Sequence, residues 1–227
     1  MGLERVSGAP VDSYGGYRIR LVEALREKGI RDLAVLKAVS EVPRHLFVSG
    51  SLRTQAYEDT SLPIGNGQTI SQPSTQARAL EALRLTGREK VLEIGMGSGY
   101  QTALLARLAG QVFAVERIPS LAEGAQAALA AAGIRNVSIL VGDGTLGWPD
   151  KAPFDRIIIT AGAPEIPEVL SGQLAVGGMM VAPAGPRDVQ TLWRVTRTEK
   201  GYEKENLMGC IFVPLIGKYG FSGPPMA

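Results

Sequence analysis

Residues 90–101 read KVLEIGMGSGYQ, and both the periodicity and the backbone freedom of the chain change within that stretch. Val91, Leu92 and Ile94 form a short apolar run rich in β-branched residues. Gly95, Gly97 and Gly99 follow at alternate positions, and residues 102–108 continue with helical character. The spacing predicts a buried strand, a tight turn and a helix. Such a turn brings bare backbone and the positive end of a helix to whatever ligand sits over the strand's carboxyl end.

The residues around the turn narrow the choice of ligand. A dinucleotide fold asks for G-x-G-x-x-G, its third glycine allowing close helix packing, and here that third position is Tyr100. The phosphate-loop lysine of nucleotide hydrolases is also missing. Glu116 ends the next strand at about the distance where an acid meets ribose hydroxyls, which suits NAD and S-adenosylmethionine equally. Glu93 lies inside the first strand, and Asp143 with Gly144 follows the third. S-adenosylmethionine has no pyrophosphate to cradle. It carries an ammonium, a sulfonium, ribose hydroxyls and an adenine amine, all groups that carboxylates answer. Glu93, the G-x-G-x-G turn, Glu116 and Asp143 in register resemble a class I S-adenosylmethionine-dependent methyltransferase.

Working outward, residues 111–116, 137–141 and 154–160 read as further strands, the last being the most apolar and β-branched run in the chain. An alanine-rich helix over 120–132 stops at Gly133, a helix is expected over 168–174, and Gly177 and Gly178 lead into another strand, MMVAP. Strands alternating with helices predict a doubly wound, mostly parallel Rossmann-like α/β sheet with its ligand at the carboxyl ends. Residues 190–196 and 207–215 read as antiparallel edge strands joined by a polar GYEKEN turn.

Upstream, a helix from Tyr17 is followed by one that Asp32 caps and that stops before Pro43. His45 reads as a structural histidine, with no acid or nucleophile beside it in sequence. Residues 49–72 show little periodicity and form a long connection of the kind that carries function. It leads to a helix that Ser71 is expected to cap, with Pro73 in the first turn.

The 227 residues suit one domain: an N-terminal extension over 1–16, helices and a substrate loop over 17–88, and the cofactor-binding core with C-terminal strands over 89–227. With 24 basic against 22 acidic residues the net charge is +2, which gives no reason to expect nucleic acid or a membrane surface as partner. The lone Cys210 excludes an internal disulfide, one His and one Cys argue against a metal site, and no apolar run or secretory signal is apparent. A cytoplasmic monomer without metal is expected.

The segments VPRHLFV, LPIGNGQTISQP, VLEIGMGSGYQTALLA, VERI, GDG, APFDRIIITAGAPEIP, QLAVGGMMVAPAG and FVPL resemble, in the same order and at similar spacing, protein-L-isoaspartate O-methyltransferases. The similarity spans roughly residues 17–217, and GQTISQP is its specific part. The resemblance implies methyl transfer from S-adenosylmethionine, with S-adenosylhomocysteine as product, to the free α-carboxylate of L-isoaspartyl residues in damaged proteins and peptides. The ester then closes to a succinimide. The resemblance also places the active-site serine on Ser71, with Ile70 and Gln72 beside it at the substrate. Cofactor contacts fall on residues 95–99, Glu116 and the Asp143–Gly144 pair. Some relatives carry a histidine where this chain has Gln76. A class I methyltransferase acting on a small molecule is the alternative, since it would share everything from Lys90 onward without needing LPIGNGQTISQP; a degenerate binding module and a hydride-transfer enzyme rank lower.

Overall fold

The computed structural model describes residues 13–223; most of the expected N-terminal extension falls outside them. The chain opens with two helices, α1 (Gly15–Glu27) and α2 (Leu33–Glu41). Asp32 caps α2 as expected, its Oδ1 accepting from the amides of Ala34 and Val35 at 2.8 and 3.2 Å. The connection that follows is more ordered than its weak periodicity suggests. It contains an antiparallel hairpin, β1 (Leu62–Gly65) and β2 (Gln68–Ile70). Asn66 and Gly67 have φ of 53° and 67°, the pair of left-handed residues that a tight hairpin turn requires. The Asn-Gly dipeptide was the available signal.

Helix α3 (Pro73–Leu83) begins one residue later than a Ser71 cap would allow. Its N-cap position is Gln72, and no side chain of that position bonds back. The cap comes from elsewhere in the sequence: Asp59 Oδ1 accepts from the Ser74 amide at 2.8 Å. That carboxylate satisfies a free helix-start donor, so Ser71 is not needed for the purpose.

The core is a seven-stranded sheet built from β3 (Lys90–Ile94), β4 (Gln111–Glu116), β5 (Val137–Val141), β6 (Phe154–Ile159), β7 (Leu174–Ala184), β8 (Gln190–Thr198) and β9 (Gly201–Cys210). Helices α4 (Tyr100–Leu108), α5 (Pro119–Ala131) and the short α6 (Glu168–Ser171) connect them. The strand order is β5-β4-β3-β6-β7-β8-β9, parallel from β5 through β7 and antiparallel thereafter. Crossing back from β5 to β6 puts the switch point between β3 and β6, and a crevice opens there at the carboxyl ends.

Alternation along β3 separates two apolar layers. Val91 packs with α1–α5 residues such as Leu25, Leu80 and Leu104, whereas Leu92 and Ile94 join Phe113, Phe154, Ile157 and Leu170 on the other face. Each fully buried side chain of this size contributes about 1.5–3 kcal/mol, which makes the register of β3 hard to shift.

The C-terminal half differs from the sequence expectation in two places. GYEKEN is not the turn but the first part of β9; the strands reverse at Glu199 and Lys200. Its polarity has a different cause, for β9 is an edge strand whose residues are half-buried or exposed, and charged side chains there discourage pairing with another chain. The expected strand over 207–215 instead leaves the sheet after Cys210. Gly162 then bonds to both sides of Pro214, its N donating to Val213 O at 2.8 Å and its O accepting from Leu215 N at 2.7 Å, which stitches this segment across the carboxyl ends.

Candidate active site

The glycine turn is shaped by close approach. Gly95 has φ of 89°, and a Cβ there would lie 2.7 Å from Thr160 Oγ1, the hydroxyl that donates to the Ile94 carbonyl at 3.0 Å and to the Gly95 carbonyl. Gly97 presents its amide to Glu116 Oε2 at 2.8 Å, and Ile118 N donates to Oε1 at 2.9 Å. Two backbone donors from opposite sides therefore hold the carboxylate of Glu116 at the end of β4, facing the crevice. Gly99 does something else: a Cβ there would meet Ala125 Cβ at 3.0 Å, so its bare backbone lets α4 and α5 approach.

Ile94, Gly95, Met96, Gly97, Glu116 and Gly144 line one wall of a cavity of about 990 Å³, counted to its open mouth. Ile70 and Ser71 at the end of β2 and Thr75 and Gln76 on α3 line the opposite wall. The hairpin lies over the turn, with Ile64 Cδ1 3.4 Å from where a Gly97 Cβ would be, and Asn66 Nδ2 donates to Ser120 Oγ of α5 at 3.3 Å. The C-terminal segment adds Phe212 and Leu215. An apolar lining with a few convergent polar groups is the make-up of a small-molecule site.

Three of the expected cofactor residues stand behind the wall and not in it. Gly99 sits at the start of α4 as described. Glu93 points to the helical side of β3, where it accepts from Thr102 Oγ1 at 2.6 Å; burial above all, with the Glu116 charge, pushes its carboxyl up to about 8 against that bond. Asp143 Oδ1 accepts from Thr145 N and Oγ1 at 2.9 and 2.6 Å, and Oδ2 from Lys218 N at 2.8 Å. Burial alone would raise the Asp143 carboxyl, but these donors and the Arg117 charge outweigh it and hold it below the usual carboxylate range. Its carboxylate pins the C-terminal segment, while the adjoining Gly144 reaches the cavity.

Gln72 likewise does not line the cavity: its Nε2 donates to Asp59 Oδ2 at 3.0 Å. Asp59 also accepts from Lys28 Nζ. One carboxylate thus joins α1, the residue after Ser71 and the start of α3.

A residue that sequence reasoning passed over holds Ser71 in place. Arg44 is fully buried, and its Nη2 donates to the Ser71 carbonyl at 2.9 Å while Nη1 donates to Gln76 Oε1 at 2.8 Å. Its guanidinium lies 4.6 Å above the Tyr100 ring. Desolvation lowers the Arg44 pKa to about 10, partly offset by Tyr100, so the group stays charged at neutral pH. Tyr100, the residue that departs from the dinucleotide pattern, is buried as the floor of this cation. His45 stacks on Tyr14 at 3.9 Å between ring centres, with Nδ1 2.7 Å from Tyr57 Oη. Among the described residues no group of three or more His, Cys, Asp or Glu side chains is arranged to hold a metal ion.

A parallel sheet in this order, with a glycine cradle after β3 at the switch point and an acid ending the neighbouring β4, is the architecture of class I S-adenosylmethionine-dependent methyltransferases. The bare backbone of Gly95 and Gly97 along the cavity and the inward carboxylate of Glu116 both fit that cofactor. The family model for protein-L-isoaspartate(D-aspartate) O-methyltransferase matches residues 18–220, and the chain belongs to that family. It is 54% identical over 217 residues to the protein-L-isoaspartate O-methyltransferase of Syntrophus aciditrophicus (strain SB), covering 94% of this chain and all of that one. Identity to the enzyme of the same name from Geobacter metallireducens is 53%, over 90% of this chain and 95% of the relative. A solved protein-L-isoaspartate O-methyltransferase superposes with a TM-score of 0.82 at 32% identity, covering 89% of this chain and 67% of that one. A Plasmodium falciparum protein described as a β-aspartate methyltransferase, solved in complex with S-adenosyl-L-homocysteine, gives 0.75 at 26% identity, over 87% of this chain and 97% of the other.

Proposed function

We propose that this chain methylates the free α-carboxylate of L-isoaspartyl residues in damaged proteins and peptides, with Ser71 orienting the acceptor. The observation that carries the reading is one continuous cavity whose walls are the glycine turn with Glu116 on one side and Ile70 and Ser71 on the other. S-adenosylmethionine, when bound, supplies a methyl group on a positively charged sulfur.

The acceptor carboxylate is ionised at neutral pH and needs no strong base, which suits a site built from a serine and backbone groups. What the protein supplies is alignment, a contribution that reaches about 7–11 kcal/mol in well-oriented systems. Ser71 reaches the cavity from the end of β2 with its carbonyl fixed by Arg44, so its hydroxyl is free to take the acceptor. Since Asp59 already occupies the Ser74 amide, the helix start adds less to the anion site than its position suggests. Gly95, Gly97, Glu116 and Gly144 form the cofactor wall, and Glu93, Gly99 and Asp143 support it from behind. Hairpin residues Ile64 and Gln68 to Ile70 and the segment over 212–216 line the cavity around the reacting groups. The ester product then closes to a succinimide without further help, the neighbouring backbone amide nitrogen attacking the ester carbonyl and losing its proton as methanol leaves.

The same reading carries a single-domain, cytoplasmic monomer, which light scattering and fractionation test. Labelled S-adenosylmethionine with paired peptides containing Asp or isoAsp tests the reaction. Base-labile label on the isoAsp peptide alone is expected; label on both or on neither removes the reading.

A further inference from the structure

Gln101 is the second residue of α4, 4% exposed, and lines the same cavity as Gly95, Gly97 and Glu116. Both its amide atoms, Oε1 and Nε2, are buried without a hydrogen-bond partner. An amide with neither atom bonded is costly to bury, and native structures retain few of them. Of the polar side chains nearest in role, Gln76 answers Arg44 and Glu116 holds two backbone amides, while Glu93 gives Oε2 to Thr102 and keeps a buried Oε1 without a partner.

We infer that Gln101 holds the amino-acid tail of the bound S-adenosyl cofactor, Nε2 donating to its carboxylate and Oε1 accepting from its ammonium. This inference rests on the cofactor reading above. An amide presents one donor and one acceptor side by side, which matches a zwitterion. Adenine also offers such a pair, and position decides between them. Gln101 follows Tyr100, whose ring floors the Arg44 guanidinium that bonds Gln76 and the Ser71 carbonyl. Gln101 also opens the helix that leaves β3, one strand further from β5 than Glu116 and Ile118 at the end of β4, so it stands toward the reacting end of the cofactor, whereas Glu116, Ile118 and Gly144 form the side toward β5 that takes the nucleoside.

The test is calorimetry with two ligands that differ only in the tail, S-adenosylhomocysteine and 5′-methylthioadenosine, on the wild type and Gln101→Leu. The variant is expected to lose about 10- to 100-fold in affinity for S-adenosylhomocysteine while its affinity for methylthioadenosine changes less than about 2-fold, within the scatter of a contact not made. Equal losses for both ligands, or unchanged affinity for both, overturn the inference, the first pointing to an adenine contact. Gln101→Met, which keeps the length of the side chain, serves where the leucine variant fails to fold. A wild type that binds neither ligand defeats the cofactor reading itself, a pattern distinct from either failure of Gln101.

Discussion

Arg44 Nη2 and the Ser71 carbonyl are joined by a 2.9 Å hydrogen bond, so the backbone of the proposed catalytic serine hangs from a fully buried cation. The same guanidinium bonds Gln76 at 2.8 Å and covers Tyr100. Removing it orphans an amide and a carbonyl at once. Arg44→Met is expected to cost about 3 kcal/mol, since bonds to a charged donor contribute about 1.5–3 kcal/mol each. Arg44→Lys, a point charge without the planar fork, cannot replace both bonds. Urea unfolding measures the loss, and steady-state kinetics should show turnover falling while S-adenosylhomocysteine affinity holds. A lysine variant with unchanged stability and turnover would show that the fork has no role.

Ser71 does not cap α3, so its removal can be read chemically. Ser71→Ala should leave stability within about 0.5 kcal/mol, as for substitutions away from structural features, and cofactor affinity unchanged. Turnover on an isoaspartyl peptide should fall about 10- to 100-fold, the equivalent of one hydrogen bond to a charged acceptor. Full turnover would take Ser71 out of the mechanism.

The contrast between Ser71 and Arg44 shows what a linear reading reaches. Short-range signals transferred well: the apolar run and alternate glycines after Lys90, the Asp32 cap two and three residues from its donors, and the acid ending β4. Arg44 lies 27 residues from Ser71 in a stretch whose composition is that of any helix end, and nothing periodic marks an arginine that folding will bury. Asp59 caps a helix 15 residues away for the same reason. The hairpin was legible in Asn66-Gly67, but two short strands with a proline and glycines give almost no alternation to set beside it. In β9 the polar face of an edge strand imitates a turn, since both are solvated.

Glu116 and Asp143 look alike in sequence, and the structure separates them. Glu116→Ala removes a carboxylate that faces the cavity and should raise the dissociation constant for S-adenosylhomocysteine about 10-fold or more, at about 1.5–3 kcal/mol for a charged hydrogen bond. Asp143→Ala releases Thr145 and Lys218, so its first effect is on the C-terminal segment. Faster amide exchange over 212–219 together with weaker binding is expected there, whereas Glu116→Ala should leave that exchange alone. The same exchange pattern in both variants would place the two acids in one role.

Glu93 gives the fold a dependence on pH. Its carboxyl keeps its proton to about 8 in the folded state, chiefly through burial, whereas the unfolded chain releases it near the ordinary value of 4.5. Between those values the folded state binds more protons than the unfolded one. Stability from this group is therefore full below about 4.5, declines as pH rises toward 8, and is flat above it. The slope for one proton is at most about 1.4 kcal/mol per pH unit. Glu93→Gln keeps the shape and the acceptor for Thr102 Oγ1 but cannot ionise, so it should remove the decline. Urea unfolding at intervals from pH 5 to 8 measures it, every other titrating group being common to both proteins. The variant should gain on the wild type steadily as pH rises, and two parallel stability curves would show that Glu93 is already ionised in the folded protein.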